Sequence, residues 1–165
     1  MTELTALPPR AAAPAALPAP RVAPVTAPYA ALLLRAGLGA VYLAHGLFKL
    51  AVLGLPGTAE FFVAHGFPGW TAYPVTILEI GGGLLLLAGL YTREAALGLL
   101  PVAAGALLVH LPNGWYFAVP NGGWEYVAFL GLALLAQSAL GDGAWSLGRV
   151  LARRSGRRAA AIEPR

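Results

Sequence analysis

Cysteine is absent from this 165-residue chain, and charged side chains are scarce. Without a thiol, the chain cannot form a disulfide, relay electrons through thiols, or bind zinc or an iron–sulfur cluster through cysteine. Asp, Glu, Lys and Arg make up 11% of the residues, whereas a soluble domain carries about 25%. Hydrophobic residues make up 58%. The shortage of charge, together with long apolar runs, predicts an integral membrane protein.

Several other features are missing. The glycine run 81–83 lies inside an apolar segment, so it is not a phosphate-binding loop, and neither a nucleophile elbow nor a metalloprotease motif occurs. The N-terminus lacks the basic region and the uninterrupted apolar core of a signal peptide. Seven prolines in residues 1–28 predict an extended or disordered cytoplasmic tail instead.

Four apolar segments approach the ~20 residues that are needed to cross a bilayer. They cover about 29–53, 72–90, 95–111 and 124–140. They predict an all-α, four-helix membrane bundle over residues 29–147, followed by a basic cytoplasmic tail over 148–165. Pro101 predicts a kink or local unwinding in the third segment. Close helix contacts are expected at small residues, namely Ala36, Ala40, Ala44, Gly81, Gly82, Gly83, Gly98 and Gly105.

The basic residues predict the orientation of the bundle. Neither the first connection, about 51–71, nor the third, 112–123, contains Lys or Arg. Arg35 and Arg93 lie near the opposite ends of the segments, and five arginines between 149 and 158 follow the fourth segment. The positive-inside rule therefore places both termini in the cytoplasm, with Arg35 and Arg93 as topology anchors. This charge pattern is not a nucleic-acid footprint. The aromatic first and third connections predict an interfacial belt or, alternatively, a lid over a pocket.

Ionisable side chains occur in or beside the apolar segments, and they are the strongest functional clue. Charges in lipid are costly and usually mark a cavity, a paired network or an ion path. At 1.5 Å per residue, all of them fall in the outer half of the bundle. These side chains are His45, Lys49, Glu79, His110 and Glu125.

Helical spacing suggests how these ionisable side chains are arranged. Tyr42, His45, Gly46 and Lys49 share one face of the first helix. If this face looks inward, His45 meets Glu79, and Lys49 meets Glu125 or Glu79. We predict Glu79, His45 and Lys49 as catalytic residues. The predicted ligand-binding residues are Tyr42, His110, Glu125 and Trp124. The alternative is structural: Lys49 reaches the headgroups, and the other polar groups pair with one another.

The positions of these histidines along their helices disfavour both a haem and a bound metal ion. His45 and His110 differ in depth by several ångströms, so they do not fit a haem held by two axial histidines. His45, Glu79 and His110 lack the close spacing of metal ligands, and no metal site is predicted.

The sequence resembles a known family in several motifs taken together. They are LLLRAGLGAVYLAHGLFKL over residues 32–50, EFFVAHGFP over 60–68, LEIGGGLLLLAGLYTREAAL over 78–97, NGGWEYVAFL over 121–130 and GDGAWSL over 141–147. They are similar to the DoxX family of small bacterial membrane proteins. Members of that family often have an acidic residue after the final Ser-Leu, whereas Gly148 follows Leu147 here.

The resemblance implies a multi-pass protein of the bacterial cytoplasmic membrane and points to Arg35, His45, Lys49, Glu79 and Arg93. The family takes its name from a subunit of a thiosulfate:quinone oxidoreductase, and other members are linked to oxidative-stress complexes. The expected function is thus a membrane subunit of a quinone-linked oxidoreductase or of an oxidative-stress complex, with a polar site in the outer half of the bundle and quinone as the candidate cofactor. Expected partners are the bilayer, oxidoreductase subunits and further copies of the chain. A small proton-coupled transporter and a non-catalytic scaffold are the alternatives.

Overall fold

The computed structural model describes residues 25–153, and the regular secondary structure of this part of the chain is helical, without a strand. The predicted tails therefore lie largely outside the described residues, since 1–24 and 154–165 are not among them. The main α-helices are α1 (Ala27–Phe48), α2 (Gly54–Ala64), α3 (Ala72–Ala88), α4 (Thr92–His110) and α5 (Glu125–Leu140), and residues 147–153 are also helical. Pro28 lies in the first turn of α1, where its missing N–H costs no helical hydrogen bond.

Three helical stretches of the described chain are long and apolar enough to cross a membrane. They are Ala27–Ala64, Gly69–Ala88 and Thr92–Asn113. The fourth predicted segment forms α5, which has 16 residues and spans about 24 Å at 1.5 Å per residue. It is apolar but shorter than the ~30 Å thickness of a hydrocarbon core. The all-helical membrane class is thus supported, while the fourth crossing and the side of the termini stay predictions.

The first predicted connection contains a helix that the sequence did not predict. After Phe48 the chain widens into a π-helical turn, Lys49–Leu53, and Gly54 then leaves the helical region with φ +69°. Pro56 lies in the first turn of α2, where proline is tolerated. The glycine- and proline-rich sequence resembles a loop, but here it only interrupts the helix and starts a new one. By contrast, α4 continues through Pro101 without interruption.

Helices α1 and α3 pack closely because glycines face each other. A Cβ atom on Gly39 would lie 2.9 Å from the carbonyl oxygen of Gly83, and one on Gly83 would lie 2.7 Å from the backbone nitrogen of Leu43. Such contacts are closer than real Cβ atoms make. The predicted small-residue positions are partly wrong, since Ala40 and Ala44 are exposed, and a Cβ added at Gly81, Gly98 or Gly105 would meet nothing within 4 Å.

The remaining contacts close the bundle: α3 packs on α4, α4 on α5, and α5 on α1. The apolar core between the helices consists of Leu38, Tyr42, Leu86, Ala95, Ala96, Leu99, Val102, Ala103, Ala133 and Leu134.

The face of α1 that points into the bundle has a polar residue near each end. Its buried residues include Arg35, Leu38, Gly39, Tyr42 and Gly46, which recur every three or four residues, with Leu38 and Gly39 adjacent. Lys49 follows Gly46 by three residues and continues this face. We refer to the two ends of the bundle as the Arg35 end and the Lys49 end.

At the Arg35 end, one guanidinium joins three parts of the chain. Arg35 is fully buried. Its Nη1 donates to the carbonyl oxygens of Leu86 (3.0 Å) and Leu87 (3.2 Å), and its Nη2 donates to those of Ala144 (3.1 Å) and Trp145 (3.5 Å). The first two carbonyls belong to the last turn of α3, where carbonyls lack a full set of helical partners, although that of Leu86 also accepts the backbone N–H of Gly89 (3.2 Å). Arg35 therefore attaches both α3 and the segment after α5 to α1.

Gly89 and Gly148 make room for this arrangement. A Cβ atom on Gly89 would lie only 2.1 Å from Nη1 of Arg35, and Gly89 has φ +67°. The backbone N–H of Gly148 donates to the carbonyl of Gly89 (3.1 Å). A Cβ atom on Gly148 would lie 3.1 Å both from that carbonyl oxygen and from Oδ2 of Asp142. Because Gly148 has no side chain, the segment after α5 can dock closely against Gly89.

Candidate functional site

The Lys49 end contains an ion pair between α1 and α3. Nζ of Lys49 donates to both carboxylate oxygens of Glu79, at 2.5 Å to Oε1 and 2.6 Å to Oε2. The Glu79 side chain is 4% exposed and that of Lys49 is 17% exposed. The carboxylate is thus almost completely enclosed, whereas the ammonium keeps a path to the surroundings. Of the two partners that helical depth allowed for Lys49, the structure selects Glu79.

Gly46 allows the two helices to approach at this pair. A Cβ atom at position 46 would lie 2.6 Å from Cγ1 of Ile80 and 3.1 Å from Cβ of Glu79. Because Gly46 has no side chain, α3 can come close enough for Glu79 to meet Lys49. Gly46 belongs to the predicted inward face, but a role for it was not predicted. Its position between Tyr42 and Lys49 on that face is the sequence feature that points to it.

Tyr42 adds a polar group without a partner. Its side chain is 4% exposed, and its hydroxyl is buried without a hydrogen bond. The phenol lies within electrostatic range of Glu79 and Tyr126. A buried hydroxyl normally has a partner, since leaving one unsatisfied costs about 1–3 kcal/mol. The Lys49 end therefore has an available donor beside its ion pair.

His45 lies elsewhere. Its ring is exposed, and Nδ1 is 2.8 Å from the carbonyl oxygen of Val41, one turn earlier in the same helix. The structure thus does not bring His45 to Glu79. The buried face alternates by three and four residues, and His45 lies just outside it, next to Gly46. A spacing of i, i+4 to Lys49 suggested a shared face, but a helical side chain one position off a narrow stripe points outward.

His110 and Glu125 hold the third connection over the helix ends. Nδ1 of His110 lies 3.0 Å from the carbonyl oxygen of Gly122, and Oε1 of Glu125 accepts the backbone N–H of Phe117 (2.9 Å). Trp124 packs edge-on against Trp115 with ring centroids 4.3 Å apart. These three predicted ligand-binding residues thus organise the connection, and the structure does not bring them into the Lys49–Glu79 pair.

The start of α5 is also stabilised by this connection. The backbone N–H groups of Gly123, Trp124 and Glu125 donate to loop carbonyls at 2.9, 3.0 and 3.1 Å. These groups lack helical partners at the start of a helix, so the loop satisfies them. The acceptors are the carbonyls of Tyr116, Gly114 and Trp115.

The two predicted topology anchors have different surroundings. Arg35 is buried in the hydrogen-bond network described above, so its guanidinium does not reach headgroups. Arg93 is exposed at the same end and lines a cleft of 630 Å³ together with Glu94 and Asp142. Their contribution to orientation stays a prediction.

Thr58 was not predicted either, and it contacts the backbone of the site. It is fully buried in α2. Its hydroxyl lies 2.9 Å from the carbonyl oxygen of Gly54 and 3.2 Å from that of Lys49. A threonine in a predicted loop carries no specific signal, so only the fold reveals this contact. Within residues 25–153, no group of three or more His, Asp or Glu side chains is placed to hold a metal ion.

The comparisons with known proteins agree with the membrane class. The sequence pattern of the DoxX family matches residues 30–112, just over half of the chain. A 62-residue segment is 42% identical to the Bacillus subtilis (strain 168) protein named "Putative oxidoreductase CatD". This segment covers 38% of the chain and 45% of that relative, so the chain spans less than half the length of the relative it matches. No solved structure gives a significant match.

Proposed function

The chain belongs to the DoxX family, and from this premise we propose that it is a membrane subunit of a quinone-linked oxidoreductase. The proposed quinone site is the Lys49 end, with Lys49, Glu79 and Tyr42 as its polar groups. Another subunit supplies the electrons, because the chain has no cysteine for a thiol relay or a thiolate-bound cluster. The name of the Bacillus subtilis relative supports an oxidoreductase assignment.

The single observation that carries the proposal is the available phenol of Tyr42 beside a buried ion pair. A quinone has two carbonyl oxygens that accept hydrogen bonds, and its ring is apolar. The Tyr42 hydroxyl is a buried donor without an acceptor, and the partly exposed Lys49 ammonium is a second donor. Donors within an apolar bundle fit such a molecule, since small-molecule sites combine an apolar lining with a few polar groups.

Lys49, Tyr42 and Glu79 would each have a separate role in quinone reduction. Reduction of a quinone to a quinol consumes two electrons, from the partner subunit, and two protons. Lys49 and Tyr42 would bind carbonyl oxygens, which polarises them toward reduction. Glu79, which is ion-paired with Lys49 in the structure, would first take up a proton from the surroundings past Lys49 and then release it to a carbonyl oxygen of the quinone. A second uptake and release by Glu79 would deliver the second proton. Oxidation of a quinol runs through the same steps in reverse.

The proposal includes a topology. All four apolar segments would cross the bacterial cytoplasmic membrane, with the bilayer locally thinned around the short helix α5. Both termini would be cytoplasmic, which places Arg93 inside and the Lys49 end in the outer half. A dehydrogenase subunit would then dock at the aromatic connections on the outside. Self-association is compatible with this arrangement.

Quinone titration of the purified chain tests the proposal. The full chain is placed in lipid nanodiscs, and binding of a short-tailed quinone is measured by quenching of tryptophan fluorescence. We expect saturable binding, weakened at least about 10-fold in Glu79→Gln and Lys49→Met, which corresponds to about 1.4 kcal/mol. Glu60→Gln is the matched control, because Glu60 is exposed on α2. Equal affinity in Glu79→Gln and Glu60→Gln would contradict the proposal.

A non-catalytic scaffold is the second candidate, and one observation favours it. Lys49 and Glu79 satisfy each other with two contacts, so the pair is complete without a ligand. If the chain is a scaffold, the ion pair has a structural role alone: it links α1 to α3, as polar groups between membrane helices do. The same variants would then lower the melting temperature while quinone binding would be absent from the unmodified chain as well.

A further inference from the structure

The Lys49 side chain must reach Glu79, yet the backbone at Lys49 departs from regular α-helix. Lys49 is the first residue of the π-helical turn, and Gly54 ends that turn with φ +69°. A π-helical turn is wider than an α-helical one, and such turns often occur at functional sites. The Lys49 ammonium is carried on a long flexible stem, so its position at Glu79 depends on how firmly its own backbone is held.

Thr58 holds this irregular backbone. It is the buried residue of α2, whose other side chains are exposed or half-buried. Its hydroxyl has one proton, which it shares between the carbonyls of Lys49 (3.2 Å) and Gly54 (2.9 Å). The first residue of the turn and the residue that ends it are therefore attached to one side chain. This contact fixes the corner between α1 and α2 from inside the protein.

We propose that Thr58 is a positioning residue for the Lys49–Glu79 ion pair. By binding the Lys49 carbonyl, Thr58 fixes the direction in which the Lys49 side chain leaves the helix. The ammonium then reaches both oxygens of Glu79 without a large loss of side-chain freedom on pairing. Without the hydroxyl, the turn relaxes and Lys49 spends less time at the carboxylate. The inference concerns the site of the proposed function, but it does not require that quinone binds there.

The reactivity of the Glu79 carboxyl group gives a direct readout. A hydrophobic carbodiimide reacts with carboxyl groups in apolar surroundings, and Lys49 covers both carboxylate oxygens of Glu79 (2.5 and 2.6 Å), so displacement of Lys49 opens them to the reagent. The full chain in nanodiscs is treated with dicyclohexylcarbodiimide at fixed pH, and modification of Glu79 is followed by peptide mass spectrometry. We expect a several-fold faster modification in Thr58→Val than in the unmodified chain. Lys49→Met sets the upper limit.

Three further variants separate positioning from a general structural effect. Thr58→Ser keeps the hydroxyl and should restore the slow rate. Thr58→Cys has the same shape as serine but a weak donor, and it should behave like Thr58→Val. Thr76→Val removes another buried hydroxyl, which donates to the carbonyl of Ala72 (2.8 Å) on α3 rather than to Lys49. We expect it to leave the rate unchanged.

The outcomes decide the inference independently of the quinone proposal. A Thr58→Val rate equal to that of the unmodified chain, or equal to that of Thr76→Val, would overturn it. If Thr58→Val does not fold, the comparison of Thr58→Cys with Thr58→Ser is decisive, and equal rates in these two would overturn it. Absence of quinone binding would leave these rates unaffected and would contradict the proposed function alone.

Discussion

Each end of the bundle holds a cation, but the cation binds different groups at the two ends. At the Arg35 end, a guanidinium binds four backbone carbonyls, and these neutral dipoles cannot gain or lose a proton. At the Lys49 end, an ammonium binds a carboxylate that can. Both residues lie on the same face of α1, about 21 Å apart at 1.5 Å per residue. A cation bound by carbonyls has only a structural role, whereas an ion pair can be opened by proton transfer. This difference is why we propose the chemistry at the Lys49 end.

The largest expected effect is the loss of Arg35. In Arg35→Met, four carbonyls lose the guanidinium donor at once, although that of Leu86 keeps the backbone N–H of Gly89. We expect a loss of about 4 kcal/mol or more in the free energy of unfolding, from charge-assisted hydrogen bonds of about 1.5–3 kcal/mol each. The free energy of unfolding is measured by denaturant titration in detergent. Arg93→Met is the control, because Arg93 is an exposed arginine. A loss below about 1 kcal/mol would show that the Arg35 end is not held as described.

The ion pair should cost less to break, because two contacts are lost rather than four and the Lys49 ammonium is partly exposed. We expect Lys49→Met and Glu79→Gln to lose about 2–3 kcal/mol each, at the lower side of the range for a broken buried pair. The double variant should lose at least about 1 kcal/mol less than the sum, because neither partner is then left alone. Unfolding of the two single variants and the double variant gives this coupling. Additive losses would contradict a direct interaction.

Gly46 tests whether close approach of the helices makes the pair. In Gly46→Ala, the new methyl group would meet Ile80 and Glu79, and we expect a loss of about 1–2 kcal/mol from overpacking. Gly37→Ala on the same helix meets nothing within 4 Å and should gain about 0.5–1 kcal/mol from helix propensity. The difference between the two melting temperatures checks this. Equal values would mean that α1 and α3 are not in close contact at Gly46.

The smallest expected effect on stability is that of Tyr42→Phe. Because the hydroxyl has no partner, its removal should change the free energy of unfolding by less than about 0.5 kcal/mol, or stabilise the protein slightly. Quinone affinity should nevertheless fall several-fold if the phenol binds a carbonyl oxygen. Tyr73→Phe, at an exposed position of α3, is the control in both measurements. A large loss of stability would reveal a hydrogen bond to the Tyr42 hydroxyl and remove it as an available donor.

The helices were easier to predict than the way they face each other. Long apolar runs indicate α3, α4 and α5 to within a few residues, because length and hydropathy are local properties. The glycine- and proline-rich start of α2 looks like a loop, since Pro56 is favourable only if a helix begins there. The pairing of Lys49 with Glu79 was one of two alternatives, because helical depth gives the height of a residue but not its neighbour. His45 was assigned to the inward face on spacing alone, and Thr58 acts through tertiary contacts that no local pattern indicates.

Protection of Glu79 by quinone tests the central claim most directly. The full chain in nanodiscs is treated with dicyclohexylcarbodiimide while a short-tailed quinone is titrated, and modification of Glu79 and of Glu60 is followed by peptide mass spectrometry. If the Lys49 end is the quinone site, modification of Glu79 falls in proportion to quinone occupancy and that of Glu60 does not change. Unchanged modification of Glu79 at saturating quinone, or an equal fall at both residues, would contradict the account.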